Sequence, residues 1–301
     1  MSAPAGAAEP AGALARLSVS PGRRRRDRLA RGTITVATVI ALVPLALIIY
    51  YLLKKGLSSW STEFFTTDPT GNTFFKNVSI GGIKSAILGT IEIVALASLF
   101  SIPIGVGVAI WLVEYGRDTR FANLVRFFVD VLTGVPSIVF GLFVYIVLII
   151  GTGSTYAGWK GAVALALLML PIVIRSAEVI LLLVPNGLRE SALALGAPRW
   201  RVVFRIVVPT ALPGMLTGVL LAVARAAGET APLLFTAGET LKTNFNPHDF
   251  TNALPLQIYY DVTSPTVSVE QRAWGAALTL VVMILLLNLI ARLVSRRSRL
   301  A

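Results

Sequence analysis

Long uncharged stretches separated by short clusters of charge dominate the chain, and their lengths decide the element type. Uncharged runs occupy residues 93–113, 131–159, 206–224 and 273–291. Each is too long for a strand and long enough for a helix to cross a hydrocarbon core about 30 Å thick at about 1.5 Å per residue. Ahead of them, residues 32–53 between Arg31 and Lys54 form another. That stretch follows Arg23 to Arg26 but ends in Tyr50, Tyr51, Leu52 and Leu53 rather than in the small residues of a cleavage site, so it reads as an uncleaved anchor. A further run starts at Gly161 and meets Arg175 and Glu178, but its flanks, LALLMLPIVI and VILLLVP, are apolar enough to carry two charges into a membrane. The expected architecture is all-α and integral to the membrane, with six transmembrane helices near 33–53, 85–113, 128–150, 162–184, 210–236 and 273–293.

Basic residues orient these spans. With the N-terminus inside, the cytoplasmic pieces hold 18 of the 27 Lys and Arg, the outer pieces hold seven, and Arg175 and Arg225 lie within spans. Both termini are expected in the cytoplasm of a bacterial cell, with the chain multi-pass in the inner membrane. Residues 1–31 read as a flexible basic tail, 32–83 as the first helix and an outer loop, 84–293 as the core domain, and 294–301 as a second basic tail.

Composition narrows the function. The chain is 55% apolar and only 14% charged, against about 25% charged in soluble domains. The net charge of +12 therefore reflects asymmetry across a membrane rather than a nucleic-acid-binding face. Without cysteine there is no disulfide, no thiolate nucleophile and no sulfur-built metal site, and the single His248 makes a histidine metal site or triad equally unexpected. Gly81-Gly82-Ile83-Lys84-Ser85 lacks the glycine that a phosphate-binding loop carries before its lysine. The chain is thus expected to be neither an enzyme nor the holder of a cofactor.

Proline lies in five of the six expected spans, at Pro44, Pro103, Pro136, Pro171, Pro213 and Pro232, where it removes a backbone hydrogen bond and can bend a helix. Gly214 and Gly218 form a GxxxG suited to close helix packing, against a partner the pattern does not name.

The segment between the fourth and fifth spans, 185–209, is the most specific. Within it, 189–195 reads as a short Ala/Leu helix that Gly196 ends by taking a positive φ, after which Ala197-Pro198 starts the next helix. Glu190, Ser191 and Ala192, then Gly196, then Ile206-Val207-Val208-Pro209 resembles the coupling loop of permease subunits from binding-protein-dependent ABC importers, with Ser in place of one Ala and Val in place of one Leu. RAAGETAPLL at 225–234 and LMLPIVIRSAEVILLLVP at 168–185 are similar to the phosphate-specific, PstA-like members of that family. The resemblance implies a type I permease core in spans two to six with one helix added in front. It further implies that Glu190, Ser191, Ala192, Gly196 and Ala197 form a knob docking on an ATPase. The partners implied are two ATPase subunits, a second related permease and an extracytoplasmic phosphate-binding protein, in contact with membrane lipid and without nucleic acid.

The charges inside the spans point the same way. Arg225 and Glu229 are four apart, and Arg175 and Glu178 three apart, so each pair is expected to share one helix face and neutralise itself. A guanidinium offers a fixed fork of donors to phosphate oxygens and stays protonated at depth. Arg225, Arg175, Glu229 and Glu178 are the candidate substrate-binding residues, with helix-packing salt bridges as the other reading of both pairs. Glu92 lies in the second span without an obvious partner, and Asp130 reads as an inner-interface residue. The alternatives are a permease for sulfate, molybdate or another oxyanion, and a stand-alone secondary transporter that uses Glu229 and Glu178 as proton carriers.

Overall fold

A computed structural model describes residues 21–70 and 81–297. In chain order its helices are α1 (Pro21–Leu57), α2 (Thr62–Thr66), α3 (Lys84–Ile110), α4 (Arg120–Gly134), α5 (Ser137–Val144) and α6 (Gly158–Leu182). Then come α7 (Asn186–Ala194), α8 (Arg199–Val202), α9 (Val208–Ala227), α10 (Ala231–Leu234), α11 (Leu254–Val262) and α12 (Val267–Arg297). Wider π-helical turns continue α3 over Trp111–Tyr115 and α5 over Tyr145–Ile150, and join α8 to α9 over Val203–Val207. Among the described residues the β-structure is a single bridge between Pro69 and Gly81.

The chain divides into two units, one ending at Tyr51 and one beginning at Leu52. In the first, the apolar side chains of α1, such as Ile40, Leu45 and Ile48, are exposed, as a helix surrounded by lipid requires. Helix starts at Pro21, so residues 21–31 of the expected flexible tail are helical; residues 1–20 lie outside the described residues. In the second unit α3, α6 and α9 pack around Ile93, Leu165, Met169, Val173 and Ala222, all essentially inaccessible. Water does not drive helices together inside a bilayer, so small residues and close approach must. Gly218 provides it: a Cβ there would stand 2.3 Å from the Ser176 Cβ of α6, and one on Gly214 would stand 2.7 Å from Ile180. The GxxxG of α9 therefore grips α6.

Among the described residues, five helices are long and apolar enough to cross a membrane, running over 25–57, 84–115, 158–182, 199–227 and 267–290. The third expected span, 128–150, is not a straight helix. Its place is taken by α4 and by α5 with its π turn, which meet at 103°. Val135 is extended at ψ 132° because the ring of Pro136 excludes the helical conformation from the residue before it. By contrast, Pro44, Pro103, Pro171 and Pro213 sit inside continuous helices. The expected span 210–236 also ends early, because α9 stops at Ala227 and the chain restarts as α10. At the other end α12 runs to Arg297, so residues 294–297 of the expected C-terminal tail are helical, and 298–301 lie outside the described residues.

Candidate functional site

The α4–α6 contact gathers four charges. Arg175 on α6 donates from Nε to Asp130 Oδ1 at 2.8 Å and from Nη1 to Glu178 Oε2 at 2.7 Å. Arg126 on α4 donates from Nε to the other oxygen of Glu178 at 2.7 Å and from Nη2 to the Leu112 carbonyl at 3.0 Å. The Glu178 side chain is 4% exposed, whereas that of Asp130 is 61% exposed. Two cations and two carboxylates cancel where an unpaired charge would be costly, and Asp130 is the member with access to solvent or lipid.

Beside this cluster α6, α9 and α12 enclose a cleft of about 750 Å³ whose polar lining includes Arg175, Ser176, Thr217 and Asn288. Its floor is apolar, with Val179, Ile180 and Leu221. One face of the Arg175 guanidinium is thus held by carboxylates while the side chain also borders an open cleft. Chemically, the arrangement can receive an anion at the price of loosening Asp130.

Arg225 and Glu229 stand apart from the quartet. They pair at 3.4 Å, with Arg225 58% exposed. Glu229 lies beyond the end of α9, so the pair spans a helix terminus instead of one face, a correction to the spacing argument. Arg225 is not part of the cleft lining that holds Arg175. Glu92 keeps Oε2 buried with no hydrogen-bond partner among the described residues.

At the end of the bundle where α3 and α6 finish, α7 carries Glu190, Ser191 and Ala192 and closes as its sequence dictates. Gly196 takes φ +80°, its N–H donates to the Leu193 carbonyl at 2.9 Å, and Ala197 donates to Ala192 at 3.2 Å. Pro198 then precedes α8. Ala192 turns inward against Val184, Val202, Val203 and Val207, while Leu195 projects outward at 89% exposure.

Residues 101–300 match the family described as "Binding-protein-dependent transport system inner membrane component". The chain belongs to that family. Among curated relatives it is 42% identical over 272 residues to the "Phosphate transport system permease protein PstA" of Haemophilus influenzae, covering 90% of this chain and 94% of that protein. It is 39% identical over 282 residues to the protein of the same name from Yersinia pestis, covering 92% of each. The permease is thus PstA-like. Among solved structures, a chain of a bacterial alginate ABC transporter, crystallised in complex with an alginate pentasaccharide-bound periplasmic protein, aligns at TM-score 0.65 and 16% identity, over 91% of this chain and 96% of that one. A chain of the inward-facing MetNI methionine ABC transporter aligns at TM-score 0.58 and 19% identity, over 72% and 94%. These fix the fold as that of type I ABC importer permeases, and the permease is a multi-pass inner-membrane protein.

Within this permease the structure brings Arg175 and Glu178 together as their spacing suggests, and adds two residues the spacing does not place there. Arg126 sits in what reads as a loop next to a span, and Asp130 reads as an interface residue. Their separation of four on one amphipathic helix, α4, was the available signal. A third unforeseen residue, Glu114, lies in the π turn after α3 and is paired with Arg189 of α7 at 2.8 Å.

Proposed function

We propose that this chain is one permease subunit of an ATP-driven importer of inorganic phosphate, working by alternating access with a separate ATPase. Its assembly comprises a second related permease, two ATPase subunits and an extracytoplasmic phosphate-binding protein. Both termini and the α7–α8 knob lie in the cytoplasm, and residues 84–293 form the permease core. Full-length similarity to relatives named as phosphate transport permeases supports the substrate. The observation that carries the site is Arg175, a guanidinium bordering an intramembrane cleft and paired with the exposed carboxylate of Asp130.

In this reading a phosphate arriving in the cleft takes the Arg175 donors that Asp130 held, while Glu178 stays neutralised by Arg126. Because one ion pair replaces another, the anion is held without the cost of creating a bare charge at depth. Arg225 and Glu229 act as a second stage, the anion displacing Glu229 from a guanidinium that is already half free. Nucleotide binding closes the ATPase pair, the knob at Glu190, Ser191, Ala192, Gly196 and Ala197 moves with it, and the cleft opens to the other side.

The test is ATP-driven uptake of labelled phosphate into vesicles carrying the assembled complex. Arg175→Gln is expected to cut uptake more than about tenfold, as loss of a charge-assisted anion contact does, with the ATPase still copurifying and Arg175→Lys partly active. Undiminished uptake by Arg175→Gln overturns the site, and competition by excess sulfate or molybdate reassigns the substrate.

A further inference from the structure

We propose that the Glu114–Arg189 ion pair is the joint through which movement of the coupling segment enters the membrane helices, with both residues positioning rather than touching the transported anion. The inference rests on the importer reading and extends it to residues which that reading does not use.

Arg189 is the one side chain of α7 that fastens two other helices at once. Its Nε and Nη2 both reach Glu114 Oε1, at 3.0 and 2.8 Å. Its Nη1 donates to the Val184 carbonyl at 2.6 Å, and Nη2 also donates to the Leu181 carbonyl at 2.9 Å. Leu181 belongs to the last turn of α6 and Val184 lies two residues past its end, where helical geometry leaves carbonyls short of intrahelical partners, so Arg189 helps cap α6. Glu114 belongs to the π turn that ends α3, and its own carbonyl accepts from Arg199 of α8. The Glu114 side chain is 7% and that of Arg189 16% exposed, so the pair is shielded from the water that would loosen a surface salt bridge.

The mechanical consequence follows from what surrounds the pair. Other links between α7 and the bundle are apolar, through Ala192 against Val184 and Val203, and apolar surfaces slide. A forked guanidinium with four hydrogen bonds to Glu114, Leu181 and Val184 is directional and resists sliding. It grips α6 at Leu181, about one turn past Glu178 and about one and two-thirds turns past Arg175, on a helix that transmits axial displacement as a rigid rod. Outward, α7 presents Leu188 and Leu193, with Leu195 just past its end, all exposed. The segment therefore has one face free to be pushed and one face bolted to the helix that holds the charge cluster.

The absence of cysteine from the chain supplies a clean reporter. In the complex with its ATPase, Thr217→Cys places a thiol in the cleft, and its labelling by a membrane-impermeant maleimide is followed without nucleotide and with ATP plus vanadate. The labelling rate is expected to change roughly fivefold or more in the otherwise unaltered chain. With Glu114→Gln added, that response is expected to fall below about twofold while ATP hydrolysis stays within about twofold, the mark of an uncoupled engine. Arg189→Lys, which keeps the charge but loses the fork, is expected to respond in between. The proposal is overturned if Glu114→Gln keeps the full labelling response, or if labelling response and hydrolysis fall by the same factor with loss of the ATPase, since the pair would then only hold the loop in shape. Phosphate uptake measured in parallel separates the two readings: a normal nucleotide response without phosphate uptake sinks the substrate and leaves the joint standing.

Discussion

Arg126 reaches Glu178 at 2.7 Å across 52 positions of the chain, and in doing so it leaves Arg175 free to be shared between Glu178 and Asp130. Neutralising Glu178 would leave two neighbouring guanidinium groups with only Asp130 between them. Glu178→Gln is expected to destabilise the protein by about 3–5 kcal/mol, the cost of breaking a buried pair from one side. Arg225→Gln, whose side chain is 58% exposed, is expected to cost about 1 kcal/mol or less while still lowering uptake. Thermal unfolding in detergent, set beside vesicle uptake, separates the two variants.

Gly218→Ala is expected to cost more than Gly214→Ala. The added methyl at 218 meets the Ser176 Cβ at 2.3 Å, an atom fixed to the backbone, whereas at 214 it meets the Ile180 Cγ2 at 2.7 Å, which a rotamer change can move. Overpacking of this kind costs about 1–3 kcal/mol, so the prediction is a drop in that range for Gly218→Ala and a smaller one for Gly214→Ala. A denaturant series on both variants measures it, and equal losses contradict the packing.

Gly196→Ala isolates backbone conformation from contact, because a Cβ at this position meets nothing within 4 Å yet the residue holds φ +80°. An L side chain in the left-handed region costs about 1–2 kcal/mol. The expected outcome is a nearly unchanged unfolding temperature for the whole protein and a several-fold weaker association with the ATPase, read by copurification against the parent.

On the opposite end of the bundle the prediction concerns pH. Asp261 and Arg272 form a pair in which both side chains are 3% exposed, with Arg272 Nε donating to Asp261 Oδ2 at 2.8 Å and Gln257 donating to Oδ1 at 2.8 Å. Nearby, burial pushes the Glu239 carboxyl above its ordinary value of 4.5; the negative charge of Asp261 pushes the same way and Arg272 opposes both. A carboxyl that holds its proton more tightly when folded favours the folded state at low pH. That contribution is complete below about 4.5 and fades as the pH rises through the raised value. Glu239→Gln should therefore unfold at a higher temperature than the parent at pH 7 and at the same temperature near pH 4. A variant that tracks the parent at both pH values contradicts it.

Much of this architecture is legible because a bilayer demands long uncharged runs and the chain shows them plainly. The Gly196 turn is legible too, since a glycine followed by Ala197-Pro198 after a short Ala/Leu helix leaves few conformations. What the spacing does not reveal is tertiary. The pairing of Arg126 with Glu178, of Asp130 with Arg175 and of Arg189 with Glu114 links positions 45–75 apart, and no local periodicity records such a partnership. Arg225 and Glu229 mislead for the opposite reason: a separation of four implies one helix face only if the helix continues, and it stops at Ala227. The uncharged run 131–159 conceals its bend likewise, because a hydropathy pattern counts Pro136 as one more apolar residue.

That bend has a bearing on the lipid around the protein. Past Pro136 the helix that could traverse the bilayer covers only 137–150, roughly 21 Å by helical rise, some 9 Å short of an ordinary hydrocarbon layer. A transmembrane segment that falls short forces the surrounding acyl chains to pinch inward or a neighbouring subunit to cover the deficit.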